Sequence, residues 1–256
     1  MGSDNTNRLF TIEKLPIRYL VIPKCACTYV KNVMWSMQNG LTHNTPLRIH
    51  DSDSVFLRAS NFGLTTDEIA NEEFAFTVLR NPIDRFYSLY TDKVIGRGRE
   101  KFVPLRANLI KGGYFIENPN SIVEHQKNCE ILIGWIAENL EGGTSLRSDS
   151  HWTPQSYRNN IIREFKLKVL LVNDLRDQLN ILLRTLDPNI DRILLSGEKN
   201  RSVKSFKQSQ IIDKKLRKKI NLLYSDDREM FLKAKEMWTK LKMENIDYTD
   251  VPRLYE

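Results

Sequence analysis

One ten-residue stretch, Tyr19-Leu20-Val21-Ile22-Pro23-Lys24-Cys25-Ala26-Cys27-Thr28, constrains this chain more than any other. An apolar, strand-like run stops at a Pro-Lys turn, and small residues lead from the turn into a helical pattern. A strand feeding a tight turn and then a helix aims backbone N–H groups and the positive end of the helix dipole at one point. Lys24 adds a full charge there, and a phosphate or sulfate group fits. Lys24 could be simply exposed, but a cation at a helix N-terminus opposes the dipole and needs a reason such as a bound anion. The loop is not the common nucleotide-binding one, which requires Gly-x-x-x-x-Gly-Lys-Ser/Thr. No glycine occurs between Asn7 and Gly40.

A second segment repeats the arrangement. Phe74-Ala75-Phe76-Thr77-Val78-Leu79 reads as a buried strand that runs directly into Arg80-Asn81-Pro82-Ile83-Asp84-Arg85-Phe86-Tyr87-Ser88. Pro82 suits a first helical turn. Arg80 then stands at the carboxyl end of a strand and Ser88 some two turns into a helix, so both can face the crevice where open α/β sheets bind ligands. Further strands are expected over residues 18–22 and 168–172, with a shorter extended piece over 47–50. Helical patterns cover 29–38, 83–94, 121–139 and 174–186, and residues 211–223 fit one amphipathic helix with a solvated basic face. The expected fold is α/β, a P-loop-like, mainly parallel sheet flanked by helices, in one domain over residues 1–256. Residues 1–15 are expected to be flexible or partly an expression leader. The tract 96–120, rich in Gly, Lys and Arg with little periodicity, reads as a mobile acceptor-side lid or an inert surface loop.

With these residues in view, the chain resembles the carbohydrate sulfotransferases, in particular the Golgi-type glycan branch, which is sulfotransferase family 2-like. Pro-Lys-Cys-Ala-Cys-Thr-Tyr-Val-Lys looks like that family's 5′-phosphosulfate loop, and Leu-Arg-Asn-Pro-Ile-Asp-Arg-Phe-Tyr-Ser looks like its 3′-phosphate motif. The donor implied is 3′-phosphoadenosine 5′-phosphosulfate (PAPS), with the desulfated nucleotide PAP as product and no metal. The resemblance implies that Lys24, Cys25, Ala26, Cys27, Thr28 and Tyr29 hold the 5′-phosphate and sulfuryl group, and that Arg80 and Ser88 hold the 3′-phosphate. Departures are mild: Tyr29, Val30 and Asn81 stand where Asn, Trp and Asp are frequent, and none removes a needed charge. His151-Trp152-Thr153-Pro154-Gln155, Asn200-Arg201-Ser202 and Leu222-Leu223-Tyr224-Ser225-Asp226-Asp227 resemble further features of the branch in the same order. Asn200, Arg201 and Ser202 also match a glycosylation acceptor pattern but read as a loop closing over the nucleotide.

Sulfuryl transfer needs two more things from a protein. A cation must stabilise the leaving-group oxygens, a role that falls to Lys24, and a general base worth roughly 10²–10⁴-fold must take the proton of the acceptor hydroxyl. His50 is favoured, with Asp51 either orienting it or acting itself, because related enzymes place a base between the two nucleotide motifs. His151 is the rival, and the adjacent Trp152 offers either a sugar-stacking surface or simple packing. His43 and His125 carry no supporting context. Lys31 and Lys93 read as surface or supporting residues; the plain alternative for Arg80 and Arg85 is an ordinary surface or sheet-end ion pair, and for Ser88 a small helix-packing residue.

Charge sets limits on the partners. A formal net charge of +7 and a pI near 9.2 call for anionic partners. A multiply charged nucleotide and a glycan or glycolipid acceptor account for this field without nucleic acid. No apolar run approaches the roughly 20 residues that span a bilayer. Three cysteines, Cys25, Cys27 and Cys129, leave at least one unpaired and indicate a reducing compartment. The expected location is the cytoplasm, a removed Golgi or membrane anchor being the open alternative. Two other functions stand beside sulfuryl transfer. A P-loop-like small-molecule kinase would need a Gly-rich Lys-Ser/Thr loop and a Mg²⁺-holding carboxylate, which only Asp174 after Leu170-Leu171-Val172 remotely offers. A non-catalytic nucleotide- or polyanion-binding protein would keep both motifs and lack a working base.

Overall fold

The computed structural model describes residues 8–50, 58–196, 206–241 and 246–255. Its strands are β1 (Leu9–Thr11), β2 (Ile17–Leu20), β3 (Phe74–Leu79) and β4 (Lys168–Leu171). Its α-helices are α1 (Cys27–Asn39), α2 (Thr66–Ala70), α3 (Pro82–Leu89), α4 (Val103–Lys111), α5 (Ile122–Leu140), α6 (Asn159–Glu164), α7 (Leu175–Leu183), α8 (Ile190–Ser196), α9 (Gln208–Ile211), α10 (Lys214–Leu223) and α11 (Ser225–Lys240). The chain divides into two compact units: residues 1–80, 155–201 and 230–256 form the first, and residues 81–154 and 202–229 the second.

The first unit carries the sheet, in the order β1-β2-β3-β4. β2, β3 and β4 run parallel, with Leu20 opposite Thr77 and Leu79 opposite Leu171, while β1 is antiparallel to β2. Every residue of the four strands is buried. That is why β3 reads as a continuous apolar run: a parallel sheet covered on both faces has no solvent side on which to place polar residues. α7 packs on β3 and β4, and α1 packs on α8. Ile17, Tyr19, Phe76, Val169, Leu179 and Trp238 share this core, with Tyr19 stacked on Phe76 at 5.1 Å. The outer edges are covered by isolated bridges, Phe10 to Arg58 on one side and Lys168 to Arg253 on the other, so neither edge offers a bare ladder.

The α/β class and the mainly parallel sheet agree with the sequence reading, and β3 has the expected bounds. Two expectations in this unit do not hold. Residues 9–11, read as part of a flexible leader, form β1. The extended piece expected over residues 47–50 is a 3₁₀ turn, Pro46–Arg48, because Pro46 presets helical φ and brings no N–H to a ladder.

The second unit is helical around its own core, which includes Phe86, Tyr90, Leu105, Cys129, Leu132, Ile136, Leu216 and Ile220. α5 begins at a capping box, in which the Ser121 hydroxyl accepts from the Glu124 N–H and the Glu124 carboxylate accepts from the Ser121 N–H. The tract 96–120 is not a structureless loop: residues 97–102 form a 3₁₀ helix and α4 follows. The single amphipathic helix expected over 211–223 is split at Ile212-Asp213, where the Asp213 carboxylate caps α10 by accepting from the Leu216 N–H at 2.8 Å. Its basic face is exposed as expected, and Lys215 and Lys219 both reach Glu130. Trp152 is only 2% exposed. Its indole N–H donates to Asn139 Oδ1 and its ring meets Trp135 edge-on, so it is packing, not a sugar platform.

His125 is buried in this core with Nδ1 2.7 Å from the Tyr90 hydroxyl. Burial holds its imidazole below the ordinary histidine range, against a smaller opposing effect of Glu124. The unfolded chain therefore binds more protons than the folded one below the ordinary value of about 6.5, and stability falls with pH there. Urea unfolding midpoints should decline as pH drops below about 6.5, and His125→Gln should flatten that dependence. An unchanged slope in the variant would contradict this assignment.

Candidate functional site

The loop after β2 is strained where it turns. Pro23 and Lys24 occupy the two central positions of a turn closed by the Cys25 N–H on Ile22 O at 3.2 Å, with Lys24 at φ 68°. Proline followed by a residue of positive φ is the type II pattern, which ordinarily takes glycine second. Ala26, two residues on, is also left-handed, at φ 58°. Each such residue costs on the order of 1–3 kcal/mol and persists only where its surroundings over-determine it.

The surroundings here are polar and specific. Arg80 Nη1 donates to Lys24 O at 2.9 Å. Gln155, 0% exposed, is a three-way clamp. Its Oε1 accepts from the Arg80 N–H at 3.0 Å and from the Cys25 thiol at 3.1 Å, and its Nε2 donates to Arg80 O at 2.9 Å. The turn after β2 and the residue after β3 are thus fastened to each other and to the chain's return from the second unit's residues. Gln155 was visible in the sequence only as the end of His151-Trp152-Thr153-Pro154-Gln155. Nothing in its type or spacing announced a buried clamp.

α1 starts directly from this turn. Its cap is Ala26, which supplies no side-chain hydrogen bond, and no acidic residue stands in its first turn. The positive end of the dipole therefore meets no carboxylate from its own helix, the condition under which a helix N-terminus receives an external anion. Tyr29 anchors the helix by donating its hydroxyl to Leu194 O.

His50 is carried to the same helix. Buried Asn32 donates through Nδ2 to Thr28 O at 2.7 Å and to Pro46 O at 2.9 Å, tying the segment before His50 to α1, and Ile49 is fully buried. The imidazole Nε2 lies 2.8 Å from Thr28 Oγ1 and 3.8 Å from Cys27 Sγ, and Nδ1 lies 3.2 Å from Lys31 Nζ. Lys31, read from the sequence as surface or supporting, is buried at 4% exposure with its ammonium 3.8 Å from the centre of the Phe10 ring. Burial pushes its pKa down to about 8. Asn32 and Lys31 escaped sequence reasoning because both are polar residues on a buried helix face, which periodicity reads as a defect.

Lys24, Cys25, Ala26, Cys27, Thr28, Tyr29, His50 and Arg80 thus belong to the first unit, while Ser88 and His151 belong to the second. Ser88 is half-buried in α3. His151 Nδ1 lies 2.6 Å from Asp149 Oδ1 and its ring meets Phe102 edge-on. Arg85 is buried, donates to Ser150 O and lies 4.0 Å from buried Asp227, as an ordinary ion pair within its unit. His43 accepts the Thr45 N–H and packs on Trp35. Asp51, Asn200, Arg201 and Ser202 lie outside the described residues. All three cysteines are free thiols. Among the described residues no group of three or more His, Cys, Asp and Glu is placed to hold a metal, and no helix is long and apolar enough to cross a membrane.

The model of the sulfotransferase family matches residues 7–233. The chain belongs to that family, whose chemistry is transfer of a sulfuryl group from a nucleotide donor to an acceptor. No curated protein and no solved structure gives a significant match.

Gln155→Leu removes the hydrogen bonds that the fully buried Gln155 side chain makes to the half-buried N–H and C=O of Arg80. Each such group costs about 1–3 kcal/mol when its partner is removed, so the variant should lose about 2–4 kcal/mol in urea unfolding. A loss within about 0.5 kcal/mol would show that the clamp does not hold the loop.

Proposed function

We propose that this chain transfers the sulfuryl group of PAPS to a hydroxyl of a glycan or glycolipid. The observation that carries the reading is the convergence at the start of α1. A braced left-handed turn with Lys24 and Arg80, an N-terminus with no side-chain cap and the ring of His50 all meet there. The donor suits this chemistry: an anion-seeking helix end and two cations fit a phosphosulfate, and Cys25, Ala26, Cys27 and Thr28 are small residues whose backbone an anion can approach closely.

PAPS, when bound, supplies a sulfuryl group already attached to a phosphate leaving group. The protein's part is positioning and charge. Lys24 stabilises the oxygens on which charge grows as the bond to sulfur breaks. Thr28 and the α1 backbone hold the sulfuryl end, and Arg80 with Ser88 holds the 3′-phosphate. Arg80 has a double duty, since the same side chain braces Lys24 O. His50 Nε2 takes the proton of the acceptor hydroxyl. His151, oriented by Asp149, is the second candidate for that role. The glycan class rests on the likeness of both motifs to glycan-sulfating enzymes and on the positive charge of the chain. The resemblance of their segment to the family adds Asn200, Arg201 and Ser202 to the proposed nucleotide contacts.

Calorimetric titration with PAP, beside AMP and ATP, tests the donor site. PAP should bind in clear preference to AMP, and Ser88→Ala should weaken PAP by about tenfold, the value of one charge-assisted hydrogen bond, while leaving AMP unchanged. Arg80→Ala should abolish the preference. Equal affinity for PAP and AMP would refute the reading. With desulfated polysaccharides and glycolipids as acceptors, His50→Ala and His151→Ala, made separately, then identify the base as the one whose loss stops turnover with PAP binding intact.

A further inference from the structure

Lys31 stands one helical turn beyond Thr28, so the two side chains share a face of α1, and the His50 ring spans them. One ring nitrogen meets the Thr28 hydroxyl at 2.8 Å and the other meets the Lys31 amine at 3.2 Å. A lysine almost wholly buried with its amine against an imidazole is an uncommon pairing, because two groups that both carry positive charge when protonated repel each other at this distance. The contact is favoured when one hydrogen bridges Nζ and Nδ1 and the pair carries no more than one positive charge. The other groups acting on Lys31 are the Cys27 thiol, one turn back, which favours its charge, and Arg58, which opposes it, while β1 contributes the Phe10 ring.

The hydrogen between Nζ and Nδ1 has two arrangements, and they differ in consequence. An ammonium can only donate, whereas a neutral amine has a lone pair that accepts. If Lys31 is an ammonium donating to Nδ1, the neutral ring carries its proton on Nε2, and the nitrogen facing Thr28 is no base. If Lys31 is an amine, Nδ1–H donates to it and the Nε2 lone pair is exposed toward Thr28. The partner of one ring nitrogen decides the protonation of the other.

We infer that Lys31 is a positioning residue which, as a neutral amine, accepts the Nδ1–H of His50, keeps Nε2 unprotonated, and receives the Nδ1 proton when Nε2 takes one. This rests on the reading of His50 as the base. The balance is complete within these groups. The acceptor O–H bond breaks and Nε2–H forms; Nδ1–H breaks and Nζ–H forms. The imidazole ends neutral, the positive charge ends on Lys31 above the Phe10 ring, and the acceptor oxygen keeps the electron pair with which it attacks. The ring face stabilises that ammonium, while burial keeps the amine form accessible near pH 8. The pH–rate profile should therefore rise as Lys31 loses its proton, which burial brings down to about 8.

Long-range ¹H–¹⁵N spectra of the ¹⁵N-labelled full chain, followed from about pH 6 to about pH 10 across the histidine and lysine range, read the tautomer directly. His50→Gln assigns the resonances by their disappearance. In the unaltered protein His50 should carry its proton on Nδ1 above about pH 8. In Lys31→Arg, whose guanidinium only donates, the Nε2–H form should persist at every pH, and in Lys31→Met the ring should return to the Nε2–H form that free imidazole prefers. An Nε2–H tautomer in the unaltered protein above that pH overturns the inference, as does an Nδ1–H tautomer that survives in Lys31→Arg. If Lys31→Met does not fold, the other two measurements still decide. The PAP titration of the unaltered protein separates the two layers: a failed PAP preference removes the donor reading and leaves the tautomer result standing, while a wrong tautomer removes only the role of Lys31.

Discussion

Two non-glycine residues in left-handed backbone, Lys24 and Ala26, are what the rest of the first unit is arranged to maintain. Left to itself the chain would relax a turn of this kind, since the strain is comparable to a sizeable fraction of a domain's net stability. It persists because of where the strands end. The parallel register sets Leu20 beside Thr77, so the turn after β2 and Arg80 after β3 emerge at the same end of the sheet. Arg80 can then reach Lys24 O, and Gln155 can bind Arg80 and Cys25 together. The carboxyl ends of parallel strands are where open α/β sheets form ligand crevices. This chain adds a turn whose conformation is bought with buried hydrogen bonds, where other anion loops use glycine.

Two arginines of one motif show how context assigns a role. Arg80 and Arg85 are five residues apart and chemically identical, yet Arg85 is buried against Asp227 and Ser150 O, where its charge is consumed inside the second unit. Such a pair does little for net stability but makes loss of either partner costly, because an uncompensated charge would remain buried. Arg80 lies at the end of β3, half-buried, with a guanidinium that can serve a loop carbonyl and an anion together. The same contrast separates the histidines. His125 and His43 are packed into their surroundings as ring and hydrogen-bond partners, whereas His50 is exposed and joined to α1 through Thr28 and Lys31.

Much of the fold was legible because its signals are local. Six consecutive apolar residues in β3, the Pro82 start of α3 and the Ser121/Glu124 box of α5 each announce themselves within a few residues. The errors arose where elements are short or where one residue overrides the pattern around it. β1 is three residues long and exists through pairing with β2. Pro46–Arg48 is turned by its own proline, and the segment 97–111 lacks periodicity because a 3₁₀ piece passes directly into a short α-helix. Asp213 breaks the 211–223 pattern by capping, a signal that was present but was outweighed by the apolar spacing around it.

The sequence by itself determined the anion-seeking loop, the second strand-to-helix motif, the mainly parallel α/β class and the family to which both motifs belong, because these depend on residues adjacent in the chain. It also offered His50, Asp51 and His151 as candidates for a base, with no geometry to choose among them. Only the tertiary structure decided that Gln155 clamps Arg80 and Cys25 across 75 and 130 positions, and that Asn32 brings the segment before His50 onto α1. It alone placed a buried lysine behind the imidazole. Hydrogen bonds between buried groups depend on orientation to within tenths of an ångström, and that orientation is set by packing of the whole unit, which no window of sequence contains.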